Sequence, residues 1–426
     1  YIGLARQQEL RITHIIETHT HADHVSGATR LAARTGATVL IHRAAQISYP
    51  HQDVEDGEEI LVGTVRLVVL HTPGHSLDSI SLLVQDMSEA TSLPRLLSGD
   101  TLFVGEVGRP DLHGTEADEL AALLHMSLYE RLLHLDDQIE VYPAHLAGSL
   151  CGRRIAPAPS TTIGQERATN PMLAFTGREA FVQSVIADLP PRPPNVAQIV
   201  HLNRTQAPLI RPKVARSSLE EVVAMLSTHA VTVIDGRDFE IFAQGHIQGA
   251  INVPISYGQF GVMVAWLMPP DAPLLLIASD EEDLADAVDS LMVVGMTNPL
   301  SALANEPDAW KASGLTMVET PLIQATELAS LLEAEVIGTL VDVREIGEME
   351  KGTIEGAVNL SYRTLQESST LPLLTEPVVV FCNSGNRSGV AASVLERQGI
   401  SVLNVRGGTT AWSEVGLPLV QPSLVS

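Results

Sequence analysis

Thr18-His19-Thr20-His21-Ala22-Asp23-His24 gathers three imidazoles and a carboxylate into seven residues. It follows Ile12–Glu17, an apolar, β-branched stretch that reads as a strand. In an extended chain residues two apart point the same way, so His19 and His21 face one point. Asp23 and His24 lie just beyond and face a second. Three more ligand-type residues sit in loops beside strand candidates: His75 in HTPGHSLDS, Asp100 in LLSGDTLF and His145 in VYPAHLAG. Imidazole and carboxylate collected at the ends of several strands suit zinc or iron. Of the 15 histidines, 12 lie before residue 150, so metal chemistry is expected in that part of the chain.

Outward from the heptad, strand patterns recur at Val65–Leu70, Ser79–Val84, Arg95–Leu97 and Ile139–Tyr142. Helical periodicity appears at Gly27–Arg34 and Glu116–Leu133. Alternating strands and helices with functional loops at strand ends form an α/β plan. Before the heptad the chain opens at Tyr1 and is read as running directly into the first strand. Residues 187–213 contain DLPPRPPNVAQ and APLIRP, a proline density that favours an extended linker.

After that linker the sequence repeats. VIDGRDFEIFAQGHIQGAINVP begins at Val233 and LVDVREIGEMEKGTIEGAVNLS at Leu340. Asp235 matches Asp342 and Arg237 matches Arg344, both at a spacing of 107 residues. That period is too long for a solenoid and fits two copies of one domain. In the second copy Val378–Phe381 reads as a buried strand. Cys382-Asn383-Ser384-Gly385-Asn386-Arg387-Ser388 follows, and then a helix, Gly389–Gln398. Backbone N–H groups and a helix N-terminus aimed at a strand-end cysteine form an anion cradle that favours the thiolate. Arg387 adds a positive charge. The first copy has Ala278 where the second has Cys382, followed by the acidic run Ser279–Asp283. It is read as catalytically dead, serving spacing, dimerisation or docking, which makes a homo-oligomer one of its uses.

A net charge of −25 over 426 residues argues against nucleic acid or an anionic membrane as the main partner. Two cysteines, Cys151 and Cys382, make no disulfide framework and point to a reducing, cytoplasmic setting. No run of 18 apolar residues is present. Arg153 and Arg154 lie close to Cys151 and could lower its pKa, which would fit a sulfur relay; the favoured reading is a structural or substrate-lining cysteine.

The THTHADH heptad with His75, Asp100 and His145 resembles the metallo-β-lactamase superfamily over about residues 10–170. The segments GDTLFVGEVGRPDL (Gly99–Leu112), YPAHLAGSLCG (Tyr142–Gly152) and STTIGQERATNP (Ser160–Pro171) look like the persulfide dioxygenases within it. That resemblance implies an αββα sandwich, truncated at its N-terminal end because little precedes Ile12. It implies one Fe(II) per chain, held by His19, His75 and Asp100, with coordination positions left for O2 and a persulfide sulfur. His21, Asp23, His24 and His145 would surround and orient those ligands. Arg109 and Asp111 match the family's GRPD segment near the substrate, where Arg109 would grip a carboxylate of a glutathione-like thiol or form a structural ion pair. Leu146 departs from the glycine common after this histidine.

The same residues also look like glyoxalase II thioesterases. In that case His19, His21 and His75 would hold one zinc, Asp23, His24 and His145 another, and Asp100 would bridge them.

The Cys382 loop, Asp342-Val343-Arg344, GTIEGAVNL and NVRGGTTAW are similar to the rhodanese family over about residues 322–420. The implied chemistry is sulfur transfer through a Cys382 persulfide assisted by Arg387. Asn383, Ser384, Gly385, Asn386 and Ser388 would bind the substrate. The expected organisation is a metallo-β-lactamase-like domain at 1–186 and a linker at 187–213. An inactive rhodanese-like domain follows at 214–320 and an active one at 321–426. The expected partners are a low-molecular-weight persulfide or thiol, O2, sulfite and thiosulfate.

Overall fold

The computed structural model describes residues 1–89, 93–187, 189–205, 210–297, 300–365 and 374–421. It divides into two compact units, Tyr1–Ile210 and Arg211–Ser426.

In the first unit, His14–Ile16, Thr38–His42 and Gln52–Val54 form a parallel three-stranded sheet. A six-stranded sheet runs, in spatial order, Glu59–Val62, Val65–His71, Ile80–Asp86, Arg95–Gly99, Glu140–Pro143 and Thr161–Thr162. Only the Arg95–Gly99 and Glu140–Pro143 neighbours in it are parallel. Leu40 and Val54 from the small sheet pack with Ile60, Val69, Ile80 and Leu82 from the large one. Burying an aliphatic side chain this fully contributes about 1.5–3 kcal/mol, so alternate positions along these strands hold the two sheets face to face. Helix Ala28–Thr35 covers the small sheet through Ala28, Val39 and Tyr49. Helices Ala117–Tyr129 and Arg178–Ile186 cover the large one through Leu124, Leu128, Phe181, Leu96 and Val141. This is the αββα layering the heptad implied.

Two local expectations are corrected. Ile2–Gln7 is an exposed helix, not the approach to a strand; its residues, Leu, Ala, Arg and Gln among them, are good helix formers. The proline-rich segment is not extended throughout. Val196–Arg204 is a helix, directly after Pro193-Pro194, and it buries Val196, Ile199, Val200 and Asn203. The prolines stand outside the helix, where they cost it nothing. Residues 188 and 206–209 of that segment lie outside the described residues.

The second unit contains two five-stranded parallel sheets with the same strand order. The first is Ala215–Arg216, Leu300–Leu303, Leu274–Ile277, Thr232–Asp235, Ile251–Asn252. The second is Leu322–Ile323, Val402–Val405, Val378–Phe381, Thr339–Asp342, Val358–Asn359. In each, the strand carrying the Ala278 or Cys382 position lies at the centre and its residues are buried. The two copies share one hydrophobic core, in which Ile251, Val253 and Phe260 pack with Val341, Val380, Val390 and Val394. The helix after Cys382 starts at Asn386, three residues earlier than the periodicity indicates. Gly385 ends the loop at φ 103°, a conformation that glycine adopts without a Cβ penalty.

Candidate functional site

His19, His75 and Asp100 leave three different strand ends and meet. One ligand atom from each lies within 4.8 Å of the others. Asp100 Oδ2 is 3.7 Å from His19 Nε2 and 3.5 Å from His75 Nε2. Both imidazoles are fixed from behind. His75 Nδ1–H donates to the Arg109 carbonyl at 2.8 Å, and His19 Nδ1 is hydrogen-bonded to the Thr18 hydroxyl at 3.0 Å. The Nε2 atoms that remain are buried and have no hydrogen-bond partner. A buried nitrogen without a partner costs about 1–3 kcal/mol, and a metal ion is the partner that would relieve both at once. Burial, with His21 and His75 nearby, holds the His19 imidazole well below its ordinary pKa and thus neutral, as a ligand must be. Burial opposes ionisation of Asp100, yet His19, His145 and His75 around it keep its carboxyl below the usual range. The donor set therefore fits a cation.

The other four motif residues bond largely to one another. His145 Nδ1 is 2.9 Å from Asp100 Oδ1, and His145 Nε2 is 3.0 Å from Asp23 Oδ2. Asp23 Oδ1 is 3.0 Å from His24 Nδ1. Burial works against a charge on His145, but Asp100 and Asp23 raise its pKa. His21 Nε2 lies 3.2 Å from Glu17 Oε2, a pairing that raises the imidazole pKa against the effect of burial. The structure thus brings His19, His75 and Asp100 to one point, while His145, Asp23 and His24 are hydrogen-bonded among themselves and to Asp100, and His21 bonds Glu17 with its buried Nδ1 left without a partner. Cys151 is fully buried, with its sulfur close to His145 and Asp23. Burial pushes its thiol pKa up, the reverse of the lowering expected from Arg153 and Arg154. The Arg153 guanidinium instead bonds the Ser184 and Ala187 carbonyls.

Of its two readings, Arg109 takes the ion pair in the structure. Its guanidinium is buried and bidentate to Asp111 at 2.7 Å, and it also donates to the Leu150 and Pro190 carbonyls. Four of its five N–H groups end on protein, so it and Asp111 form a clamp that steadies the carbonyl behind His75. Gly108, the preceding residue, is required by close approach: a Cβ there would lie 1.9 Å from the Asp100 carbonyl oxygen. Leu146 is exposed and takes no left-handed conformation, so it fits in place of glycine.

Sequence reading missed several supports. Asp78 Oδ2 accepts both the backbone N–H and the hydroxyl of Thr20 at 2.7 Å, bracing the heptad from 58 residues away. Asn203, in the helix of the proline-rich segment, donates to the His21 and His24 carbonyls at 2.9 and 2.8 Å. His113 packs edge-on to His75, with ring centroids 5.2 Å apart. Both its ring nitrogens are buried without a partner, and burial with His75 nearby pushes its pKa down to about 3. It also lines a cavity of about 370 Å³ with Leu112, Arg192, Pro193, Val196 and Val200. The only signal for His113 was its position two residues past the GRPD segment.

In the second unit Cys382 is 1% exposed. Its sulfur accepts from the Gly385 N–H at 3.1 Å and lies 3.5 Å from the Ser388 hydroxyl. The Asn383 side chain is tied into the frame: its Oδ1 accepts from Arg344 and Thr409 at 3.0 Å, and its Nδ2 donates to Glu348 at 3.2 Å. Ser384 is exposed at the loop tip, 3.4 Å from Asn386 Nδ2. Arg387 forms a two-point pair with Glu348 at 2.5 and 2.9 Å. That pair raises its pKa against the effect of burial.

A metal-binding sandwich joined to a duplicated cysteine-loop domain is the class that fold and sites define. The Metallo-beta-lactamase superfamily model matches residues 2–145 and the Rhodanese-like domain model matches 218–313 and 324–415. The chain belongs to the metallo-β-lactamase superfamily through its N-terminal part and carries two rhodanese-like domains after it. A metallo-beta-lactamase structure from Staphylococcus aureus is 29% identical with a TM-score of 0.61, covering 71% of this chain and 87% of that one. ETHE1 from Myxococcus xanthus is 33% identical with a TM-score of 0.41, covering 48% of this chain and 81% of that one. A hydroxyacylglutathione hydrolase from Polaromonas is 36% identical over 148 residues, 34% of this chain and about half (52%) of that protein. Among the described residues, no helix is long and apolar enough to cross a membrane.

Proposed function

We propose that the first unit oxidises a low-molecular-weight persulfide with O2, and that the active rhodanese copy moves sulfane sulfur through Cys382. The observation that carries the first half is the triad. Two buried, unpartnered Nε2 atoms and one carboxylate converge, while His145, Asp23 and His24 are hydrogen-bonded among themselves and to Asp100. One Fe(II) bound by His19, His75 and Asp100 would supply electrons for O2 activation and positions for both reactants. The chain's own residues do the rest. The Arg109 carbonyl, which can only accept, holds His75 in the tautomer that leaves Nε2 free to bind, and the Thr18 hydroxyl orients the His19 ring. The cavity walled by His113, Leu112, Val196 and Val200 receives the organic part of the thiol, with Arg192 at its rim for a carboxylate.

The reaction balances as RSSH + O2 + H2O → RSH + SO3²⁻ + 2H⁺. At the second site the Cys382 persulfide passes its outer sulfur to sulfite: Cys–S–S⁻ + SO3²⁻ → Cys–S⁻ + S2O3²⁻. The Gly385 N–H and Arg387 stabilise the anion on Cys382 in either direction of transfer.

The competing reading, a two-zinc thioesterase, draws on the hydroxyacylglutathione hydrolase relatives and on the nearness of His21, Asp23 and His24. Anaerobic purification followed by metal analysis separates the two. About one iron per chain, with O2 uptake on glutathione persulfide, is the expected result. A pair of zinc ions with thioester hydrolysis overturns it.

A further inference from the structure

The nucleophile-free rhodanese copy reaches into the active one. Asn252 N–H donates to the Ser393 hydroxyl at 2.9 Å, Arg406 pairs with Glu240 at 2.9 Å, and the Arg363 guanidinium lies 4.6 Å over the Trp266 ring. These contacts hold the copies together. Phe239 does something more local. It lies two residues past the buried Arg237, at the start of helix Phe239–Ala243. Its ring tip covers Gly385: a Cβ built on Gly385 would stand 2.7 Å from Phe239 Cζ and 3.2 Å from both Cε atoms. The base of the same side chain covers Gly389, whose Cβ would be 2.8 Å from Phe239 Cβ. Gly385 is the residue whose N–H points at the Cys382 sulfur, and its left-handed backbone has no side chain of its own to pin it. In the active copy the position equivalent to Phe239, 107 residues on, is Ile346, which is 70% exposed and serves no such purpose.

We propose that Phe239 is a positioning residue for sulfur transfer: the copy without a nucleophile supplies the ring that seats Gly385, so that its N–H is aimed at the Cys382 sulfur. This assigns the dead repeat a task in the living site, and it rests on the sulfurtransferase reading above. A hydrogen bond from a backbone N–H to a developing thiolate is charge-assisted and is lost quickly when the donor swings away. A loop free to move would still bind thiosulfate, but would stabilise the sulfur anion less as the bond to it forms or breaks.

The test uses the full chain and two variants. Phe239→Leu keeps the atoms over Gly389 and removes those over Gly385, while Phe239→Met reaches Gly385 again with a flexible chain. The Leu variant should lower kcat for thiosulfate:cyanide sulfur transfer about tenfold with little change in KM. It should also move the pH profile of iodoacetamide alkylation at Cys382, read by peptide mass, to higher pH. The Met variant should recover most of both. A folded Leu variant with parental kcat and alkylation profile overturns the proposal and leaves Phe239 as interface packing. If the parent transfers no sulfur at all, the sulfurtransferase reading falls, and the alkylation profiles alone decide whether Phe239 positions the loop.

Discussion

The two rhodanese copies carry the same frame around opposite sites. Asp235 and Arg237 meet with Nε–Oδ1 at 2.9 Å and Nη2–Oδ2 at 2.6 Å, and Asp342 and Arg344 repeat both distances. Asn252 and Asn359 each cross-brace the pair by donating to the two backbone carbonyls. Beyond the frame the copies diverge. Arg344 extends to Asn383 and so ties the frame to the cysteine loop, whereas Arg237 lies 5.2 Å over the Trp310 ring. In the first copy the Asp280 carboxylate accepts the Glu282 and Asp283 N–H groups at 2.9 Å. In the second, the corresponding helix N-terminus is left to sulfur. The lesson is that a buried ion pair and its cross-brace hold the fold whatever the chemistry. The helix N-terminus beside that frame, by contrast, is capped by its own aspartate in the first copy and has no side-chain cap in the second.

Four experiments press on that contrast. Cys382→Ser should lower thiosulfate:cyanide transfer by at least about a thousandfold, to background, and leave O2 uptake on a persulfide unchanged. Transfer that survives would place the nucleophile elsewhere. Next in size, Asp235→Ala and Asp342→Ala each strand a buried guanidinium and should cost about 3 kcal/mol in urea unfolding. Equal losses would confirm a shared frame, and a negligible loss in the first copy would show that its pair is ornamental.

A smaller effect is expected at Glu396, which faces the Thr320 hydroxyl at 2.9 Å and His246 at 3.6 Å. Burial raises its carboxyl to about 7, from an ordinary 4.5. The folded chain therefore keeps a proton that the unfolded chain releases, and Glu396 erodes stability as pH rises through that interval. Glu396→Gln should flatten the fall in Tm between those pH values, and an unchanged slope would assign it to another group. Smallest of all, Ala278→Cys in a Cys382→Ser background should restore no transfer, because Asp280 already bonds the Glu282 and Asp283 amides and sets a negative charge beside the new thiol. Measurable transfer would show that the first site had lost only its sulfur.

Much of this was legible in the chain because the signals are local. The heptad, with its period-two alternation, placed metal ligands at a strand end, and the spacing of 107 residues exposed the duplication. The Cys382 loop combined strand, tight turn and helix in one stretch. What stayed hidden depends on partners distant in sequence. Proline density in 187–213 concealed the Val196–Arg204 helix, whose Asn203 supports the heptad from about 180 residues away. Arg109 was open to two readings, a substrate grip or a structural ion pair; its pairing with Asp111 is local, but the Leu150 and Pro190 carbonyls that complete its bonding lie 41 and 81 residues on.

Residue types and short-range spacing by themselves marked the candidate metal-binding groups and the candidate sulfur-carrying cysteine, since imidazole, carboxylate and thiol chemistry is set by residue type and the loop around Cys382 is local. Tertiary structure alone decided which imidazole nitrogens stay unpartnered, which arginine is bound internally, and which aromatic ring from one copy covers a glycine of the other. Hydrogen-bond satisfaction and close packing are set by atoms that meet only after folding.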